Sequence, residues 1–148
     1  MAQTNGIAGF VVLVTKWGIP LVMELSKPLP HYWKIPGGAG EGRETPKQCA
    51  RREFLEEVGG DELRVFENDL VLVKTEPVVN DQKPWKNHTR YFFRADCLEV
   101  EPKARGDEGE TIEVFQPDQV LEMLQRGEIL EGHREILRGI LQSIGVAA

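Results

Sequence analysis

Residues 7 to 15, IAGFVVLVT, form an unbroken apolar and β-branched run, the pattern of a buried strand. Leu21 to Glu24, after the Gly18 to Pro20 turn, is predicted to pair with it as an opening hairpin. Pro28, Pro30 and Pro36 then break the pattern, and the segment running into Gly37, Gly38, Gly40 and Gly42 reads as irregular loop. A helix is predicted over Thr45 to Val58: Thr45 suits the N-cap, Pro46 the first turn, Gln48 a capping box, and Gly59-Gly60 the stop. Strand-like material follows at Leu63 to Thr75 and Thr89 to Cys97, separated by a proline-broken loop. Glu99 to Glu110 reads as an exposed loop before a strand at Thr111 to Gln116, and Pro117 opens a short helix. Ile136, Leu137, Ile140, Leu141 and Ile144 recur at helical spacing and mark a C-terminal amphipathic helix. Strands and helices interspersed in this way predict a layered α/β or α+β fold.

The length of 148 residues and the absence of repeats predict a single domain over residues 1–148. The composition, 41% apolar and 28% charged, is that of a globular chain. The net charge of −6 argues against an extended nucleic acid or an anionic membrane as partner. A small anionic substrate fits only if positive charge is supplied locally. Cys49 and Cys97 are too far apart in sequence to form a redox or metal pair and are read as small core residues in a reducing compartment. No run reaches the length of a membrane span and no basic segment precedes the first apolar run, so a soluble cytoplasmic protein is expected.

The chemistry is concentrated in GAGEGRETPKQCARREFLEEVGG, Gly38 to Gly60. On a helix Glu56 lies about 60° to one side of Glu53 and Glu57 about 40° to the other, so three carboxylates share a face. Two readings compete: a solvated helix surface, and a site for hard divalent cations, which prefer several oxygen ligands. Ala50, Phe54 and Val58 make an apolar stripe centred about 100° away, which lets the helix dock while presenting its glutamates sideways. Arg51 and Leu55 do not fit that stripe. Arg52 is four residues before Glu56 and can pair with it, and Glu44 reaches the same neighbourhood.

These residues resemble the Nudix box: a glycine, five residues, a glutamate, seven residues, then Arg-Glu-hydrophobic-x-Glu-Glu-x-Gly-hydrophobic. Here they are Gly38, Glu44, Arg52, Glu53, Phe54, Glu56, Glu57 and Gly59. Seven identities drawn at under about one in ten each match by chance on the order of once in ten million windows. Phe54 is bulkier than the usual aliphatic, and Gly60 replaces the final hydrophobic residue. The resemblance implies a mixed β-sheet sandwiched between α-helices. It also implies hydrolysis of a nucleoside diphosphate linked to another moiety (a nucleotide sugar, dinucleoside polyphosphate or nucleoside triphosphate) with magnesium or manganese. Implied metal ligands are Glu53, Glu56 and Glu57, with main-chain carbonyls of Gly37 or Gly38; Arg52 and Glu44 orient them. The general base is Glu53, Glu108 or Glu110, and Glu110 is favoured as an extra ligand.

For the substrate, Lys74, Lys83, Lys86, His88 and Arg90 offer a locally basic stretch, with Lys86 and Arg90 the chosen phosphate contacts. Tyr32, Trp33 and Trp85 are candidates to stack on a base. Pro77 resembles, out of register, the proline that marks ADP-ribose hydrolases of the family. His31 and His133 are read as surface residues. Two alternatives accompany the hydrolase: an isoprenoid-diphosphate isomerase-like enzyme, and a non-catalytic nucleotide-sensing domain. A homodimer is compatible with the sequence, which leaves the oligomeric state open.

Overall fold

A computed structural model describes residues 4–25, 28–59, 65, 67–96, 102–104 and 110–146. Its strands in chain order are β1 (Thr4–Val14), β2 (Ile19–Glu24), β3 (Trp33–Lys34), β4 (Gly37–Glu41), β5 (Val58–Gly59), β6 (Val71–Val78), β7 (His88–Asp96), β8 (Lys103–Ala104) and β9 (Glu110–Phe115). The helices are α1 (Pro46–Glu57), α2 (Pro117–Gln125) and α3 (Arg134–Ser143). A mixed sheet has the order β4-β1-β7-β6, with β1 and β7 parallel; β3-β2-β9 forms a second, antiparallel sheet, and β5 pairs with β8.

The early apolar run is continuous because β1 is covered on both faces. Ala8, Phe10 and Val12 point to one side and pack with Phe92, Val120, Leu137 and Leu141 under α2 and α3. Val11 and Leu13 point to the other and meet Ala50, Phe54 and Phe93 under α1. The sheet is thus sandwiched between helices, as the resemblance implies.

Three local expectations are corrected. The opening hairpin does not form as a paired unit. Thr15 and Gly18 exchange main-chain hydrogen bonds of 3.1 Å across the turn, but both edges of β1 are taken by β4 and β7, so β2 joins the other sheet. The glycine segment expected to be irregular is strand β4, with Gly38 opposite Gly9 and Gly37 opposite Phe10. Within the expected exposed loop of residues 99–110, Lys103–Ala104 pairs as a strand with Val58–Gly59. Helix α1 stops at Glu57, with Val58 already extended as C-cap. Cys97, Gly60 and Glu108 lie outside the described residues.

Close approach between α1 and β1 requires a missing side chain. A Cβ on Gly9 would lie 2.5 Å from the Ala50 main-chain nitrogen. Gly9→Ala is therefore expected to lower stability by about 1–3 kcal/mol through overpacking. Gly139→Ala, on the exposed side of α3 with nothing within 4 Å of its Cβ, is expected to raise it by roughly 0.5–1 kcal/mol. Urea titration of both variants checks this, and equal midpoints would contradict the packing.

Candidate active site

Helix α1 begins as its sequence dictates. The Thr45 hydroxyl accepts from the Gln48 amide at 3.2 Å, and the Gln48 side chain accepts from Thr45 N–H at 3.0 Å. Ala50 and Phe54 are fully buried. Arg51, which fits no apolar stripe, donates from Nε to the Val65 carbonyl at 2.7 Å, and Leu55 packs at the border of the core beneath the helix. Cys49 is buried and its thiol points at the Gly38 carbonyl, Sγ to O 3.3 Å; burial pushes its pKa up to about 11, which keeps the proton on sulfur.

Arg52 organises the acidic face. Its Nε and one terminal nitrogen take both oxygens of Glu44 at 2.7 and 3.0 Å, and that second nitrogen also donates to the Ala39 carbonyl at 3.0 Å. The other terminal nitrogen reaches Glu53 at 3.0 Å and Glu56 at 3.1 Å. The Arg52 hydrogen bond holds the Glu44 carboxyl below the ordinary carboxylate value. Glu53 moves the opposite way: burial raises its pKa, the Arg52 charge opposes the rise and Glu56 adds to it. The Glu53 carboxylate fits under Gly38, where a Cβ would lie 2.7 Å from it. Glu57, only 7% exposed, accepts from the Gly37 amide at 3.2 Å.

The expected ligands therefore gather around one strand and one helix but do not converge on a point. Among the described residues no group of three His, Cys, Asp or Glu side chains is arranged to hold a metal ion. Arg52 supplies the counter-charge, Lys34 Nζ lies 3.4 Å from the Gly37 carbonyl, and Cys49 takes that of Gly38. The donor set itself, carboxylates and main-chain carbonyls beside a buried Glu53, is of the hard oxygen type that magnesium and manganese take. Glu110 sits on β9 opposite Glu24; its side chain is outside the described residues.

One cleft reaches this neighbourhood at Gly38 and Ala39, and a second shares Phe10, Lys34 and Arg90 with it as a common wall. The first, of about 340 Å³, runs past Gly38 and Ala39 to Trp85, Lys86 and His88. The other, of about 430 Å³, lies by Tyr32, Leu130 and His133. Lys86, Arg90 and Tyr32 are thus at clefts, and Trp85 lies at one, 75% exposed. Trp33 is not at either cleft. Its ring stands edge-on to Phe115 at 4.9 Å and its main chain bridges to Glu128 and Leu130. Lys74 leaves the basic group by pairing with Glu135 at 3.0 Å.

Two residues were missed from sequence. Lys34 precedes the glycines, and its charge is felt by both Glu53 and His133; its position next to the box was the available signal. His133, expected on the surface, is 2% exposed and accepts at Nδ1 from the Ile35 amide at 3.0 Å. No local signal marks a partner 98 positions away.

Burial, aided by the Lys34 and Arg90 charges, pushes the His133 pKa down to about 3. The unfolded chain takes that proton near pH 6.5, so between these values the unfolded state binds more protons. This contribution to stability is complete above pH 6.5 and is lost as the pH falls. It amounts to about 2 kcal/mol between pH 7 and pH 5. Urea titrations should show a smaller loss over that interval in His133→Asn; equal losses would contradict the buried neutral imidazole.

The Nudix domain model matches residues 5–139. No curated protein matches the chain significantly. Among solved structures, a bifunctional NMN adenylyltransferase/ADP ribose pyrophosphatase from Francisella tularensis, complexed with AMP and a manganese ion, superposes with a TM-score of 0.68 at 17% identity; the match covers 97% of this chain but 43% of that one. A Nudix hydrolase from Nitrosomonas europaea gives 0.67 at 18% identity, covering 96% and 90%. A MutT protein from Bacillus halodurans gives 0.60 at 21%, covering 91% and 81%. Identities of this size speak for the shared fold. The family model spans most of the chain, and the segment from Gly38 to Gly59 folds as a glycine strand under a carboxylate helix; the chain belongs to the Nudix family.

Proposed function

We propose that this protein hydrolyses the phosphoanhydride of a nucleoside diphosphate joined to a second group, with magnesium or manganese held by Glu53, Glu56, Glu57 and a carbonyl of Gly37 or Gly38. The observation that carries the reading is the close approach of the Glu53 carboxylate to the bare backbone of Gly38, beside a cleft walled by Lys34 and Arg90. When bound, the cation neutralises the diphosphate and lowers the pKa of a water. Arg52 and Glu44 orient the carboxylates. Glu53 takes the proton of the attacking water at its carboxylate. Lys34, Lys86 and Arg90 bind phosphate oxygens, and Trp85 offers a stacking face.

The two clefts on either side of the Lys34 and Arg90 wall favour a substrate with a group at each end of the diphosphate, a nucleotide sugar or dinucleoside compound, over a simple triphosphate. No helix among the described residues is long and apolar enough to cross a membrane.

Incubation with magnesium and a panel of diphosphate compounds should release new phosphomonoester ends, with the highest kcat/KM on compounds carrying two end groups. EDTA should abolish cleavage and manganese restore it. Glu56→Gln and Glu57→Gln should each lower kcat on the order of 10²-fold or more, the scale of removing one group that stabilises transition-state charge. Cleavage at the native rate in both variants, or no cleavage across the panel, would overturn the assignment.

A further inference from the structure

We propose that His133 is a specificity-determining residue whose Nε2–H donates to a keto oxygen of a nucleobase in the cleft beside Tyr32, so that this cleft prefers keto-bearing to amino-bearing bases. The inference rests on reading the site as one for nucleotides.

The geometry leaves the imidazole one role. Nδ1 accepts the Ile35 N–H at 3.0 Å, so it carries no proton, and the neutral ring must carry it on Nε2. The ring is clamped edge-on to Phe10 at 5.0 Å and Phe92 at 5.3 Å, two phenyl groups that stack on each other at 4.9 Å. It cannot swing away without opening that stack. Its small exposed remainder forms part of the cleft wall. Among the described residues no group accepts the Nε2 proton. His133 is 2% exposed and lines the cleft, and Nε2 is the ring nitrogen that Ile35 does not engage.

The rest of the lining narrows what can enter. Pro28, Pro30 and Leu130 are apolar, and about 430 Å³ is a volume for a planar ring rather than a lone phosphate. The charged side chains are Lys34 and Arg90, His31 and Tyr32 add polar groups, and no described carboxylate or carboxamide lines the cleft. Arg90 is held close to His133: its guanidinium nitrogen would be 2.5 Å from a Cβ on Gly132. A keto oxygen placed between His133 and Arg90 accepts from both, whereas an exocyclic amino group at that point offers these two donors no acceptor.

Inosine and adenosine monophosphates form the discriminating pair, because they differ at the six-position, keto in one and amino in the other, and neither has an anhydride to cleave. Calorimetric titration of the full chain should give IMP a Kd about tenfold lower than AMP, the worth of roughly one hydrogen bond. In His133→Asn the carboxamide oxygen can still accept from Ile35 but no donor reaches the Nε2 position. The IMP-to-AMP ratio should then fall towards one, a ratio that a general loss of packing at the site would not move. Long-range ¹H–¹⁵N spectra of the unmutated protein should show the Nε2–H tautomer, with the Nε2 signal moving on addition of IMP and not of AMP. AMP binding as tight as IMP, no binding of either, an unchanged ratio in the variant, or an Nδ1–H tautomer would overturn the proposal. Base selectivity without anhydride cleavage would keep this subsite and remove the reaction; cleavage without selectivity would do the reverse.

Discussion

The close seating of one helix on two glycine-bearing strands is the constraint from which the rest follows. Ala50 meets the bare backbone of Gly9, and the carboxylate of Glu53 meets that of Gly38. With a side chain at Gly9 the helix would have to stand off, and the buried stripe of Ala50 and Phe54 would lose its contact with Val11, Leu13 and Phe93; a side chain at Gly38 would displace the Glu53 carboxylate. The same closeness removes solvent from Glu53, which raises its proton affinity, and buries Cys49 so that its thiol stays protonated against the Gly38 carbonyl. Packing and acid-base chemistry at this helix therefore have one origin.

Seating several acids on a docked helix has an electrostatic cost, and Arg52 offsets it. One guanidinium engages Glu44 through two nitrogens while touching Glu53 and Glu56. Its planar fork satisfies donors in several directions at once, which a lysine ammonium on a flexible stem does not reproduce. The neighbourhood is also asymmetric. The helix contributes negative charge, while Lys34 on β3 and Arg90 on β7 contribute positive charge to the wall between the clefts. A chain of net charge −6 can in this way present a local cationic edge to an anion.

What was legible in the sequence was local. The capping box of Thr45 and Gln48 and the grouping of Glu53 and Glu56 about Arg52 depend on residues a few positions apart, and a helix imposes its period on them whatever surrounds it. The apolar run of β1 and the Ile136 to Leu141 stripe of α3 likewise announced their burial. Glycine content was misleading at Gly37–Glu41, because a residue chosen for closeness to a helix looks the same as one chosen for a turn. Trp33 was misleading for a related reason: an aromatic beside a loop suits a ligand or a core equally until Phe115 is known to lie against it.

The sequence by itself determined the carboxylate helix, its cap, the alternating faces of the buried strands and the family signature, since each is written in the spacing of near neighbours. Only the tertiary structure decided that β1 and β2 part into different sheets, that Lys34 and Arg90 share a wall, and that His133 lies buried against Ile35. The physical reason is that strand edges accept one partner each. Which distant segment wins an edge depends on the sum of burial over the whole chain, a quantity that no short window of residues contains.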